Sequence, residues 1–257
     1  MSYSRLLAPA DRSMHQLARD RLIVTRRDPQ TARYCAIGFL DRLRDGSGYE
    51  FAYLAEAIED PMFLPLVGFS DVKRRYRRAR LFPSFAERVI GAKRPDRPQY
   101  LASLSLDTDA DSWEILSTSG GYREGDAIEL ISLPTFDGHT GTTVANFLAH
   151  GVRYRGPLVS DHISRLQRGQ RVHLEPDPAN EVNPEAVKIV DAGLHLGYVP
   201  DPLIGYVHAV LEGRPATLTV VAANPPETNP HLRLLLRLEG TIRGPFPFDE
   251  PEWRTAA

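Results

Sequence analysis

Hydrophobic and polar positions divide the chain into two stretches of different texture, joined by a turn-rich connector. Residues 21–26 (RLIVTR) and 34–40 (YCAIGFL) are short runs of β-branched, aliphatic and aromatic residues and predict strands. Asp45-Gly46 and Ser47-Gly48 predict the turn into a third strand at 49–53. After Pro65 the pattern predicts helix over 72–80, capped by Ser70 or Asp71 and continuing to Ile90 past a break at Pro83. A short helix is predicted at 100–106, then strands at 113–116 and 127–133 around the loop 119–126. Residues 134–143 (PTFDGHTGTT) carry many turn formers and no period, which marks a domain boundary.

Beyond it the pattern predicts a strand at 147–155 and a helix at 161–168, with Ser160 as N-cap and Gly169 as stop. Strands at 170–174, 186–190 and 194–199 follow, the first two separated by the loop 175–185. A helix over 202–212 places Leu203, Ile204, Val207, Val210 and Leu211 on one face, ahead of strands at 216–222 and 231–239. Residues 1–20 and 243–257 have no sustained period and are expected to be a flexible arm and a flexible tail. The expected fold class is α+β, in two small domains at 21–140 and 145–242.

Composition narrows the function classes. At 257 residues, 42% hydrophobic and 25% charged, the chain reads as an ordinary globular protein. A formal net charge of −2 gives no broad electrostatic footprint for nucleic acid. All but three of the 31 basic residues are arginine, a bias of the kind a GC-rich bacterial genome produces. One cysteine excludes an internal disulfide framework, and the first residues lack the apolar core of a signal peptide. The expectation is a cytoplasmic protein without membrane contact. Seven of the eight histidines lie after residue 138, but their scatter matches no metal spacing. Gly46-Ser47-Gly48 lies between strands and is a hairpin turn, not a nucleotide fingerprint. No cofactor motif and no nucleophile–base set is present, so no enzyme activity is expected.

Three short motifs follow one another in the C-terminal half: Gly151-Val152-Arg153-Tyr154, then the loop Asp177-Pro178-Ala179-Asn180-Glu181-Val182-Asn183-Pro184-Glu185-Ala186 running into a strand, then Leu196-Gly197-Tyr198-Val199-Pro200. In order and spacing this stretch resembles the HIRAN family. The resemblance implies an OB/SH3-like β-barrel with two short helices that holds the 3′ end of single-stranded DNA. It assigns a phosphate contact to Arg153, a stacking ring to Tyr154, the loop asparagine to Asn180, the residue facing the terminal 3′-hydroxyl to Asn183 and the strand-end aromatic to Tyr198. The chain departs from the pattern at Glu181 (a proline in the family), at Val182 (a second stacking tyrosine in end-binding members), at Asn183 (an acid) and at Glu185 (an asparagine). A missing ring removes about 1–3 kcal/mol per base, and asparagine accepts a hydroxyl without carboxylate strength. Asparagines of such loops also bond their own backbone. Basic and acidic residues nearly balance across the segment, which fits weak, salt-sensitive binding.

The N-terminal half resembles the small N-terminal subdomain of HipA-type kinases through Ile37-Gly38-Phe39-Leu40, Tyr49-Glu50-Phe51-Ala52-Tyr53, Pro65-Leu66 and Leu81-Phe82-Pro83-Ser84-Phe85-Ala86, with no kinase body following. Two functions are expected from these resemblances. One is a DNA-binding accessory protein acting at single strands or ends in bacterial repair, replication or mobile-element biology. The other is a protein–protein adaptor or toxin–antitoxin-like regulator docking through its N-terminal subdomain. The densest charge, Lys73-Arg74-Arg75-Tyr76-Arg77-Arg78, extends to Arg80. On a helix its cations would wrap the circumference, giving either a secondary phosphate contact (Lys73, Arg74, Arg75, Arg77, Arg78) or a solvated face with its acids elsewhere in the fold.

Overall fold

A computed structural model describes residues 19–213 and 215–257. The expected arm at 1–20 lies mostly outside the described residues; Arg19 and Asp20, within it, already belong to the first strand. Two antiparallel sheets dominate, with short helices around them, an α+β fold. The first sheet has the order β4-β3-β2-β1-β5, from β1 (Arg19–Arg27), β2 (Tyr34–Leu43), β3 (Gly48–Tyr53), β4 (Tyr76–Arg78) and β5 (Ile128–Ser132). The second contains β6 (Thr135–Phe136), β7 (Thr142–Leu148), β8 (Arg171–Pro176), β9 (Val187–Asp191), β10 (Leu194–Tyr198), β11 (Thr217–Ala223) and β12 (Leu234–Thr241). Its order is β10-β9-β8-β11-β12-β7-β6. The second sheet curls until His150, just past β7, meets Tyr198 of β10 through two backbone hydrogen bonds of 2.9 Å. One bridge, not a full ladder, joins these strands.

Side-chain alternation in the first sheet explains how the halves meet. One face carries Leu22, Val24, Leu40, Phe51 and Leu130, covered by Phe69, Phe82, Phe85 and Trp113. The opposite face carries three zones. Ile23, Phe39 and Ile131, with Leu54, form its apolar middle and share one continuous core with Phe147, Ile189, Leu196, Val207 and Leu236 of the second half. At one end Asp41 and Glu50, both nearly inaccessible, hold Arg19, Arg21, Arg75 and Arg77. At the other end lies Glu129. The turn-rich stretch 134–143 thus runs beside a shared core and contains β6.

Four local expectations are corrected. The cationic run forms no helix: it turns through 72–75 and becomes edge strand β4, where Arg77 lies across from Glu50 and Tyr76 packs edge-on to Phe69 at 5.0 Å. A buried carboxylate and a ring pocket decide that conformation, and the strand avoids stacking six cations on one helix. Residues 113–116 form no strand but lie in a helix, Ser112–Ser119. Asp111 accepts from the Glu114 amide and Glu114 from the Asp111 amide, a reciprocal cap, and Gly120 ends the helix in the left-handed region. The strand expected over 147–155 stops at Leu148, and Val152–Tyr154 is a 3-10 turn. The residues 243–257 are no loose tail. Phe246 and Phe248 are buried, Trp253 stacks on Phe39 at 5.9 Å, and the Ala256 amide donates to the Tyr53 carbonyl at 2.9 Å. Their aromatic content, set between prolines, explains the packing. Among the described residues no helix is long and apolar enough to cross a membrane.

Candidate functional site

The motif residues gather around the His150–Tyr198 bridge. Gly151 follows it with a φ of 70°, a turn open to glycine, and the chain enters the 3-10 turn. Val152 plugs the core while Arg153 and Tyr154 both point to solvent. Strand alternation would have placed these two on opposite faces; the turn sets them side by side, the Arg153 guanidinium 5.7 Å from the centre of the Tyr154 ring. Tyr154 is 69% exposed, and Leu158 one turn on is similarly bare.

The loop between β8 and β9 is held from within. Asn180 Oδ1 accepts from the amides of Val182 and Asn183, each at 3.0 Å, and Asn183 Oδ1 accepts from the Glu185 amide at 3.1 Å. Asn180 Nδ2 donates to the Tyr198 hydroxyl at 3.1 Å, and that hydroxyl donates to Asp177 at 2.9 Å. Lys188 binds the other Asp177 oxygen at 2.8 Å and holds that carboxyl below its usual range. Tyr198 therefore anchors the loop through its hydroxyl. Val182 is left 57% exposed at the loop tip, and Asn183 is buried. Asn183 Nδ2 reaches Asp201 at 3.2 Å, and Asp201 also takes Arg33 Nε at 3.3 Å and the Tyr34 amide at 3.1 Å from β2 and the residue before it.

Two residues without a place in the sequence reading join this site. Arg155 lies 5.5 Å from the centre of the Tyr198 ring and donates to His195 Nδ1 at 2.8 Å. His195 packs edge-on to Tyr198 at 4.5 Å. Burial, then the Arg155 charge, push the His195 imidazole down to about 4, so it is neutral near pH 7, with Nε2–H toward the Gly197 carbonyl. The repeated arginine in Arg153-Tyr154-Arg155 was the available signal for the first; for His195 the sequence carried none.

Beneath the turn sits a buried acid–base cluster. Glu129 meets His150 Nε2 at 2.9 Å, and His231 Nε2 donates to the Ser119 carbonyl at 3.1 Å while lying 3.8 Å from the same carboxylate. Burial alone would push His150 down, but the Glu129 carboxylate outweighs it and the net direction is up. The same contacts overcome burial at Glu129 and lower its value, whereas burial and the His150 charge lower that of His231. The carboxylate thus favours the charged form of His150, while burial and the His150 charge favour the neutral form of His231. Tyr34 covers His150 at 5.3 Å between ring centres, and Tyr122 stacks on His231 at 4.6 Å.

The cationic run lies apart from this site. Arg75 and Arg77 are engaged by Glu50, and Arg75 also by Thr255, while Lys73, Arg74 and Arg78 are exposed. Among the described residues no group of three or more histidines, cysteines and acids could hold a metal ion.

Compared with known proteins, residues 143–241 match the HIRAN domain family, the segment that carries the three motifs. The chain thus contains a HIRAN domain, a module that points to nucleic-acid binding. No curated protein and no solved structure matches the chain. None of these comparisons shows the HipA-type likeness expected of the N-terminal half.

Proposed function

We propose that the protein is a non-catalytic nucleic-acid-binding protein whose HIRAN domain takes single-stranded DNA, or a DNA end, against the turn bearing Arg153 and Tyr154. The observation that carries this reading is the pairing of an exposed guanidinium with a ring 69% open to solvent on a turn fixed by Gly151 and Val152. An open ring offers a base about 1–3 kcal/mol of stacking, and a guanidinium on a preset turn binds phosphate at little ordering cost. Tyr198, Asn180 and Asn183 act in this reading by positioning the loop, and Val182 gives an apolar contact where end-binding relatives have a ring. Asn183 donates toward Asp201 within a part-buried network, which supports binding to a strand over strict capture of a 3′-hydroxyl. Work at single strands or ends in bacterial repair, replication or mobile-element biology follows from the same reading.

Fluorescence anisotropy with a labelled twenty-nucleotide thymidine strand, 3′-free or 3′-phosphorylated, tests it. The expected result is wild-type binding at low salt and at least tenfold weaker binding by the Arg153→Ala/Tyr154→Ala double variant, with little difference between the two 3′ ends. Equal binding by both proteins, or binding by neither, refutes the proposal.

A further inference from the structure

Two groups of arginines among the described residues differ in what they touch. Those lining a cleft of about 1020 Å³ between the two sheets are already engaged. Asp41 takes Arg19 and Arg21, Glu50 takes Arg75 and Arg77, and Asp20 takes Arg42 and Arg44. A phosphate arriving there competes with carboxylates at 2.6–3.4 Å, two of them buried.

The opposite end of the first sheet is different. Arg27 is the cross-strand partner of Tyr34, and its side chain is exposed. Among the described residues it has no carboxylate partner. Arg33 spends one nitrogen, Nε, on Asp201, and its two terminal nitrogens have no partner among the described residues. Tyr34, between these two arginines in the hairpin, lies against His150, which leads directly into Gly151 and the turn of Arg153 and Tyr154. Arg153 itself has a ring beside it and no carboxylate among the described residues. Three guanidinium groups with spare donors thus border one seam, two from the N-terminal half and one from the HIRAN domain. Asp201 ties the hairpin to the loop carrying Asn183, so this edge is fixed in place.

We infer that the β1–β2 hairpin forms a second wall of the strand-binding site, with Arg27 and Arg33 contacting the phosphodiester backbone of a single strand whose base lies on Tyr154. This inference rests on the proposed function and adds a partner the HIRAN domain does not contain. It explains how a domain with near-neutral charge gains a local cationic track.

The test uses the full chain, the same labelled thymidine strand and a salt series. Each lost phosphate contact lowers the slope of log K against log salt by about 0.7 for a single strand. Arg27→Ala/Arg33→Ala is expected to bind about tenfold or more weakly at low salt, with a slope reduced by about 1.4. Because Arg33 also braces Asp201, Arg33→Lys and the exposed Arg27→Glu separate charge from folding. The lysine variant should stay within about threefold of wild type, and the glutamate variant should weaken binding further than alanine does. If Arg27→Glu and the double alanine variant keep wild-type affinity and slope while Arg153→Ala/Tyr154→Ala loses binding, the inference is wrong and the proposed function stands. If wild type binds no strand, both fall together.

Discussion

Replacing Glu129 is the most severe test of how the halves are joined. Its carboxylate is 4% exposed, His150 is 15% exposed, and their 2.9 Å hydrogen bond crosses from β5 to the residue that bridges to Tyr198. Glu129→Ala leaves the buried His150 imidazole without its hydrogen-bond partner and counter-charge, a loss of about 3–5 kcal/mol for a broken buried pair. That is a large part of the roughly 5–15 kcal/mol that holds a folded domain. Glu129→Gln keeps an acceptor for Nε2 and loses the charge, so it should cost about 1–3 kcal/mol. The pH dependence identifies the pair. His150 is raised above the ordinary 6.5, so its contribution is complete below 6.5 and is lost as pH rises through its folded value. Glu129 and His231 are lowered, so their contributions are lost on the acid side: His231 from 6.5 downward, Glu129 from 4.5 downward. Urea unfolding followed by circular dichroism between pH 5 and 9 should show wild-type stability declining above pH 6.5, and that decline should flatten in Glu129→Gln and in His150→Gln. A cost below about 1 kcal/mol for Glu129→Ala, or an unchanged alkaline decline in both other variants, would refute the reasoning.

Two further outcomes can be measured on the same preparations. Tyr198→Phe keeps the ring beside Arg155 and His195 but removes the hydroxyl shared by Asp177 and Asn180. It should cost about 1–2 kcal/mol and speed amide exchange at Val182 and Asn183 while leaving that of β12 unchanged. Phe246→Ala opens a hole where the ring stacks on Phe136 at 4.9 Å and meets Tyr206. A loss of about 3–5 kcal/mol in urea unfolding is expected; a change under 1 kcal/mol would mean that the last fifteen residues are not part of the fold.

Most strands were legible because their side chains alternate against a core or form continuous apolar runs, as in β1, β2 and β9. The errors came where long-range partners outweigh local pattern. Nothing near Tyr76 signals that Glu50, far away in sequence, will take Arg75 and Arg77 and draw the run into an edge strand. The helix at Ser112–Ser119 was written in Asp111-Ser112-Trp113-Glu114, an acid cap followed three residues on by glutamate, but its apolar centre reads equally as a strand. The motif residues of the candidate site were legible as a set, and Asn180 and Asn183 shape the loop as asparagines do. Their geometry was not, because the 3-10 turn depends on His150 giving both backbone groups to Tyr198. The Glu129–His150–His231 cluster was invisible for the same reason: its members come from three distant segments.

The hydrogen bonds that residues 254–256 make with Tyr53 and Ala55 have a consequence in time. A chain emerging from the ribosome at about 5–20 residues per second has already delivered β1, β2 and β3 when roughly two hundred residues remain to be made before Thr255 can reach Leu54. Throughout that interval the apolar middle of the first sheet waits uncovered for the HIRAN domain, and Phe39 waits for Trp253. The nascent protein therefore spends seconds as a half-dressed sheet, and its yield in a cell should follow the supply of chaperones that shield such surfaces more closely than the stability of the finished fold.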